Sequence, residues 1–438
     1  MVFRQAKISK IAILGGGFVG ITLAARLLKV KNVHVTVFEN DEIKSQSFRK
    51  NDFLVSEPGL SEVLKKGIAR MNLVINDGEI KDGFNALFIC IGSPKHQNAD
   101  ERDTNFKLIL NQYLSQMARD GIIFLRSTVE IGTTDRLNDF IALSDRPDVS
   151  IHFAPERTAE GVALSELSTL PQILGSPKNS SKSELALNFL SFLEFKVFQT
   201  ENAKTSELAK LVCNTWRDVT FGFANELALM AELTGVEAKK VIEASNYKYS
   251  RSSIPVPGPV GGPCLSKDTS ILFNGLPPSI LDNFSVMRSA RRINEHVEER
   301  LLDQIIDMQE NSSKPLRIII IGAAFKGNPV TNDVRNGVAL NLFEGLIRSE
   351  ARVILNIWDP VVTENDLGEL RSLRIEKLVD VNPEIVIIAN NAKFDQNKEF
   401  VEFMEKLESD VSVFDMWGIS EELSNNQAMF RQLGRSWL

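Results

Sequence analysis

The residues best placed to do chemistry sit in two glycine-bearing segments of the 438-residue chain. The first is Gly15-Gly16-Gly17-Phe18-Val19-Gly20, a G-x-G-x-x-G match that follows the apolar run KIAIL and leads into ITLAARLLKV, whose apolar residues recur at helical spacing. In a strand–turn–helix of this kind the first glycine permits the tight turn. The second lets a pyrophosphate approach the backbone, and the third lets helix and strand pack closely. The helix N-terminus then faces the phosphates, so Gly15, Gly17, Phe18, Val19 and Gly20 are read as dinucleotide contacts. Glu39 closes the next apolar run, VHVTVF, nineteen residues after Gly20. A carboxylate there bonds a ribose 2′-hydroxyl and repels a 2′-phosphate, which favours NAD over NADP. Asp41 is the alternative acid, though its ordinary reading is an exposed loop carboxylate.

The second segment is Gly261-Gly262-Pro263-Cys264-Leu265-Ser266-Lys267-Asp268. Its glycines allow a substrate close to the backbone, and a nearby Lys267 would lower the pKa of the Cys264 thiol. A hydride acceptor and a nucleophilic thiol in one chain fit one route. An alcohol is oxidised to an aldehyde, the thiolate adds to give a thiohemiacetal, a second hydride leaves to give a thioester, and water releases the acid. Most cysteines are buried and inert, and the other two follow that pattern: Cys90 lies inside the apolar run ALFICIG and Cys213 on a helix. The setting of Cys264 sets it apart.

The elements that must position these residues follow from periodicity. Apolar runs at KIAIL, VHVTVF, ALFICIG, IIFLRST and VSIHFAPE alternate with helical patterns up to about residue 178, which predicts a doubly wound parallel sheet. Residues 201–245 lack proline and predict a long helix broken near Gly235, followed by a Pro/Gly-dense loop (RSSIPVPGPVGGPCLSKD) and more helix to about residue 310. After the linker NSSKP, the runs LRIIIIG, VILNIWDP, EIVIIAN and VSVFDMW predict a second strand-rich unit with a similar start. The fold class is therefore α/β: two Rossmann-like doubly wound domains joined by a helical centre.

Composition narrows the partners. A formal charge of −7 disfavours nucleic acid. There is no run of about 18 apolar residues to span a membrane, and the first ten residues lack a secretion signal. Three cysteines form neither a disulfide framework nor a zinc pattern, so no metal is expected and a reducing, cytoplasmic setting fits.

Taken in order, further motifs extend the picture: SEPGL (56–60), ICIGSP (89–94), RSTVEIGTT (126–134), APERTAEG (154–161), SELAKLVCNTWRDVTFGFANELA (206–228), GGPCLSKD (261–268) and GAAFKGNPVTNDVR (322–335). Together they resemble the UDP-glucose/GDP-mannose dehydrogenase family over essentially the whole chain. That resemblance implies an NAD-binding Rossmann domain (1–178), a helical domain that carries the cysteine loop and forms a homodimer (179–311), and a nucleotide-sugar-binding domain (312–438). It implies Cys264 as nucleophile, Asp268 as the group that activates water or shuttles protons, and Lys210 with Asn214 as stabilisers of an oxyanion. These two are four apart, so they share a helix face; without the resemblance a solvated lysine and a surface asparagine are the ordinary readings. Thr128 resembles the residue that places the hydrolytic water beside the cofactor, and Glu156 an acid/base carboxylate near the thioester. Glu160, Arg157, Gly261 and Arg251, the last often reaching across the dimer, resemble sugar-nucleotide contacts. Lys326 and Arg335 resemble contacts to the diphosphate and base.

The chain also departs from the family's common pattern. Relatives acting on UDP-glucose tend to carry an aromatic or aliphatic residue where this chain has Arg157 after Pro155-Glu156. With Leu170-Pro171-Gln172 following, this resembles the branch that oxidises UDP-N-acetylhexosamines such as UDP-N-acetylmannosamine. Pro263 stands where many relatives have histidine, and Asn336-Gly337 where Glu-Ser is usual. The rival functions are a UDP-glucose 6-dehydrogenase, a single-step hydroxyacid dehydrogenase that would not need Cys264, and a nucleotide-sugar-binding protein without catalysis.

Overall fold

The structure, a computed structural model, describes residues 9–53, 55–70, 72–76, 83–93, 98–178, 180–274, 276–420 and 428–435. The chain divides into two compact units, Met1–Cys213 with Ser270–Pro278, and Asn214–Thr269 with Ser279–Leu438.

In the first unit the apolar runs become strands: β1 (Ser9–Leu14), α1 (Phe18–Leu27), β2 (Val33–Phe38), α2 (Glu42–Arg49), α3 (Leu60–Ala69), β3 (Leu73–Asn76), β4 (Phe84–Ile89), α4 (Ala99–Tyr113), β5 (Met117–Leu125), α5 (Thr133–Ala142) and β6 (Ser150–Phe153). They form a parallel sheet in the order β3-β2-β1-β4-β5-β6. Helices cover both faces, so β1 is apolar on both sides, with Ile11, Ile13 and Phe88 in one core and Ala12, Leu14 and Leu87 in another. The strand order reverses between β1 and β4. A crevice therefore opens at their C-terminal ends, where the glycine turn lies.

The unit continues through α6 (Ala163–Thr169), β7 (Gln172–Leu174), α7 (Ser183–Phe192) and β8 (Val197–Gln199). β7 and β8 pair with each other, and Gly175 bridges to Phe153 at the end of β6. Ala186, Phe189 and Leu190 of α7 join the core that holds Ile11 and Phe88. The unit thus runs past residue 178, because the apolar face of α7 is buried in the same core. α8 (Ala203–Thr234) begins in this unit and ends in the other. It stops just before Gly235, whose φ of 71° is a left-handed helix terminus and matches the break expected there.

The second unit adds α9 (Ala238–Asn246), the start of α10 (Gly262–Asn274), α11 (Ser285–Glu310), β9 (Leu316–Ile321), α12 (Val338–Arg348), β10 (Val353–Trp358), β11 (Ile385–Ile388), α13 (Lys398–Glu405), β12 (Ser412–Asp415) and β13 (Met429–Gln432). Its sheet is also parallel, in the order β10-β9-β11-β12-β13, with the reversal at β9 and β11. The two doubly wound sheets are as the apolar runs predicted. Among the described residues no helix is long and apolar enough to cross a membrane.

Candidate active site

The glycine turn has the geometry its spacing required. Gly15 has φ 98°, and a side chain there would meet Cys90 O at 2.7 Å; a Cβ on Gly20 would lie 1.9 Å from Gly15 O. At Gly17, the residue before α1, nothing approaches within 4 Å and no side chain caps the helix. The N–H groups of the first turn of α1, from Phe18, Val19 and Gly20, are thus left for an anionic ligand. Glu39 follows β2 and accepts from Gly16 N (2.8 Å) through Oε2 and from Asp41 N (2.9 Å) through Oε1. Asp41 caps α2 by accepting from Lys44 N, so the alternative acid is engaged as a helix cap. Beside Glu39 lies a cavity of about 470 Å³ lined by Gly15, Phe38, Arg49, Ile91 and Tyr113 among others, a size suited to part of a dinucleotide. These residues fit NAD.

Thr128 and Glu156 to Glu160 leave the C-terminal ends of β5 and β6, so topology brings them to the same sheet edge as the glycine turn. Thr128 is half-buried, and its carbonyl accepts from Ser93 Oγ at 2.6 Å. Glu156 is buried; it pairs with the fully buried Arg126 and accepts from Arg157 N (2.7 Å) and Thr158 N (2.8 Å). Burial alone would raise its carboxyl. The Arg126 guanidinium and the two N–H groups outweigh that and hold it below the ordinary carboxylate range. Such a group is a poor proton donor, and its lone pairs hold the loop in place. Arg157 reaches Pro171 O through one guanidinium nitrogen, and Glu160 is half-buried nearby in sequence. Sequence reasoning missed the loop's anchors. Glu57 accepts from Gly161 N (2.8 Å) and Leu164 N (3.2 Å), and Arg126 donates to Gln172 Oε1 (2.7 Å), whose amide in turn reaches Pro155 O. Only the acid in SEPGL hinted at such a role.

α8 carries Lys210 and, one turn on, Asn214. In the second unit Asn214 Nδ2 donates to Asp268 Oδ2 at 2.6 Å, and Lys267 Nζ pairs with Asp268 Oδ1 at 2.9 Å; Asp268 is fully buried. Lys267, expected to lower the pKa of the nearby thiol, is paired with Asp268. Cys264 was expected in a loop, yet it is the third residue of α10 and is exposed. The positive end of that helix favours negative charge on its Sγ. Cys90, by contrast, is buried, which pushes its thiol up to about 12 and removes it as a nucleophile, whereas Cys213, expected to be packed, is exposed.

The loop after β9 meets the cysteine turn within this unit. Gly262 N donates to Asn336 O (2.9 Å), and the Phe325 ring lies where a Cβ on Gly262 would be, 2.5 Å away. Gly261 is as tightly held, since a Cβ there would come within 2.0 Å of Asn336 O. Lys326 Nζ sits 5.5 Å from the Phe325 ring centre, and Arg335 donates to Asp333 Oδ1 at 2.9 Å. Cys264, Asn214, Asp268, Gly261, Lys326 and Arg335 thus belong to one compact unit. Arg251 belongs to the same unit, and its guanidinium lies over the Tyr249 ring at 4.9 Å.

Comparison with known proteins matches these two regions separately. The NAD binding domain of the UDP-glucose/GDP-mannose dehydrogenase family matches residues 9–190, and the family's central domain matches 204–296. The UDP-N-acetyl-D-mannosamine dehydrogenase of Pyrococcus horikoshii is 31% identical over 88% of this chain and 90% of its own length. That of Methanococcus vannielii is 28% identical over 93% and 92%. The solved structure of UDP-D-ManNAc dehydrogenase from Pyrococcus horikoshii superposes with a TM-score of 0.81, at 27% identity, over 98% of this chain and all of that one. With its glycine turn, its acid at Glu39 and these two family domains, the chain belongs to the UDP-glucose/GDP-mannose dehydrogenase family of NAD-dependent nucleotide-sugar dehydrogenases.

Proposed function

We propose that this enzyme oxidises the C6 alcohol of a UDP-N-acetylhexosamine, UDP-N-acetylmannosamine before others, to the uronate, consuming two NAD and one water, with Cys264 as covalent nucleophile. The observation that carries the reading is Cys264 itself, exposed in the first turn of α10 while the buried Asp268 one turn later is bonded to Asn214. The names of the similar proteins and Arg157 after Pro155-Glu156 support the choice of sugar.

Bound NAD supplies the hydride acceptor for both oxidations. Cys264 Sγ adds to the aldehyde-level carbon, and Lys210 and Asn214 donate to the oxygen that gains charge. Asp268 fixes the Asn214 amide for that task and takes part in proton transfer. Thr128 holds the water that opens the thioester. Glu156 holds the loop from which Arg157 and Glu160 meet the sugar, while Gly261, Arg251, Lys326 and Arg335 meet the rest of the nucleotide. The chemistry requires a reduced thiol and so a reducing compartment.

A homodimer is part of the proposal. On α8, Trp216, Phe223 and Met230 are spaced seven apart and are 64%, 55% and 59% exposed, an apolar stripe on one helix face that a second copy would cover.

The test is to count NADH per uronate with UDP-glucose, UDP-N-acetylglucosamine, UDP-N-acetylmannosamine, UDP-N-acetylgalactosamine and GDP-mannose. A ratio of two is expected; a ratio of one sinks the mechanism. Cys264→Ser is expected to lower acid formation by at least roughly 1000-fold. Unchanged turnover in that variant would instead favour a single-step dehydrogenase.

A further inference from the structure

Three glycines and two prolines lie between Pro257 and Cys264, yet the nucleophile must hold one position. Glycine-rich backbone does not fix itself, so the constraint has to come from outside the segment. A buried polar chain on α8 and α11 supplies it. Asn225 accepts from Gly258 N (2.8 Å) and donates to Gly258 O (3.0 Å). Asn294 donates to Asp218 Oδ1 (2.7 Å) and accepts from Asn225 (2.8 Å). Arg291 donates to Asp218 Oδ1 (3.0 Å), to Val260 O (3.2 Å) and, at longer range, to Leu265 O (3.5 Å). Thr269, five residues past Cys264, donates to Asp218 Oδ2 (3.3 Å). Asp218, Asn225 and Asn294 are wholly buried.

We infer that Arg291, oriented by Asp218 and Asn294, is a positioning residue for Cys264. Its forked guanidinium reaches main-chain carbonyls on both sides of the Gly261–Cys264 turn, and so fixes where α10 starts and where Sγ points. A buried ion pair is a weak source of stability, because desolvation offsets most of the attraction. A directional tie from a long helix to a flexible turn is what this pair does supply. Lysine, with one ammonium, could hold Asp218 but could not serve both carbonyls in the same geometry. This role rests on Cys264 being the nucleophile, and the test separates the two.

Arg291→Met and Arg291→Lys are compared with the unaltered enzyme in steady-state kinetics and in iodoacetamide labelling of the native protein, read peptide by peptide. Exposed Cys213 serves as the internal reference. Displacing a reacting atom by about 1 Å costs on the order of 100-fold. Arg291→Met is therefore expected to lower kcat by roughly 10- to 100-fold, with KM for the UDP-sugar and NAD affinity nearly unchanged. The Cys264-to-Cys213 labelling ratio falls with kcat, and Arg291→Lys recovers part of both. An unchanged ratio in Arg291→Met overturns the inference, even if activity drops. Should Arg291→Met fail to fold, an unchanged ratio in Arg291→Lys does the same. Failure of the nucleophile reading shows elsewhere, as turnover surviving Cys264→Ser, and leaves the labelling ratio free to report on Arg291.

Discussion

The two sheets begin alike and then part. β1 is followed by Gly15 (φ 98°) and β9 by Gly322 (φ 96°), both left-handed and pressed against a neighbouring loop. In each, an acid following the second strand takes the next main-chain N–H: Glu39 accepts from Gly16 N, and Asp359 from Ala323 N, both at 2.8 Å. In the first unit α1 begins at once, at Phe18, and its open first turn can face a phosphate. In the second, no α-helix begins before Val338, and the intervening loop meets the cysteine turn through Asn336 O. The acids differ as well. Both acids hold backbone N–H groups on both oxygens, but Asp359 also accepts from Val361 N (2.8 Å) and Val362 N (3.1 Å), whereas Glu39 borders a cavity. A strand–glycine–acid start makes a dinucleotide cradle only where a helix follows immediately. Elsewhere the same start is a way to anchor a loop.

The largest effect expected from this contrast is at Gly20. A methyl group there meets the Gly15 carbonyl, which is backbone and cannot swing aside. Gly20→Ala should weaken NAD binding by roughly 10- to 100-fold, the equivalent of about 1–3 kcal/mol of overpacking, as measured by titration. The two acids should then separate. Glu39→Gln is expected to weaken NAD by about tenfold, a charged hydrogen bond's worth. Asp359→Asn should leave NAD affinity alone and cost about 1–3 kcal/mol of stability through its main-chain donors. Equal effects of both variants on NAD would mean the two starts do not differ as described.

How much of this was legible depended on whether the signal was local. The strands with apolar runs, β1, β4, β9 and β11, and the second half of β5, announced themselves because both faces are buried, and β2 because its apolar residues alternate. β3 and β13 did not, since each is a four-residue edge strand left partly exposed, nor did the three-residue β7 and β8. The glycine turn and Glu39 were readable because their spacing is itself the geometry. The start of α10 was hidden by Gly-Gly-Pro, which reads as loop, although proline suits a first helical turn. Asp218 and Arg291 were invisible for a different reason. They are 73 residues apart, and nothing in either neighbourhood marks a pair that only the tertiary fold creates.

The smallest expected effect concerns one carboxylate from each unit. Glu207, fully buried, is raised by burial but restrained by Thr134 Oγ1 (2.6 Å) and the N–H groups of Thr134 and Gly132. Glu298, half-buried, has one hydrogen-bond donor, Asn341 Nδ2 (2.6 Å), and burial raises it to about 6 from 4.5. Between those two values the folded chain binds more protons than the unfolded one. The contribution of Glu298 to stability is therefore fully present below about pH 4.5, is lost as pH rises through 6, and stays absent above that. The loss is at most about 2 kcal/mol, and less to the extent that water screens the side chain. Glu298→Gln keeps an acceptor for Asn341 and removes the charge. Relative to the unaltered enzyme it should gain stability at pH 7.5 but not at pH 4.5 in denaturant melts, with differences between the variants cancelling the titration of other groups. Glu207→Gln, losing an acceptor for three protein donors, should instead cost about 1–3 kcal/mol at both pH values. If the two variants behaved alike, the number of donors around a buried acid would not be what distinguishes the units.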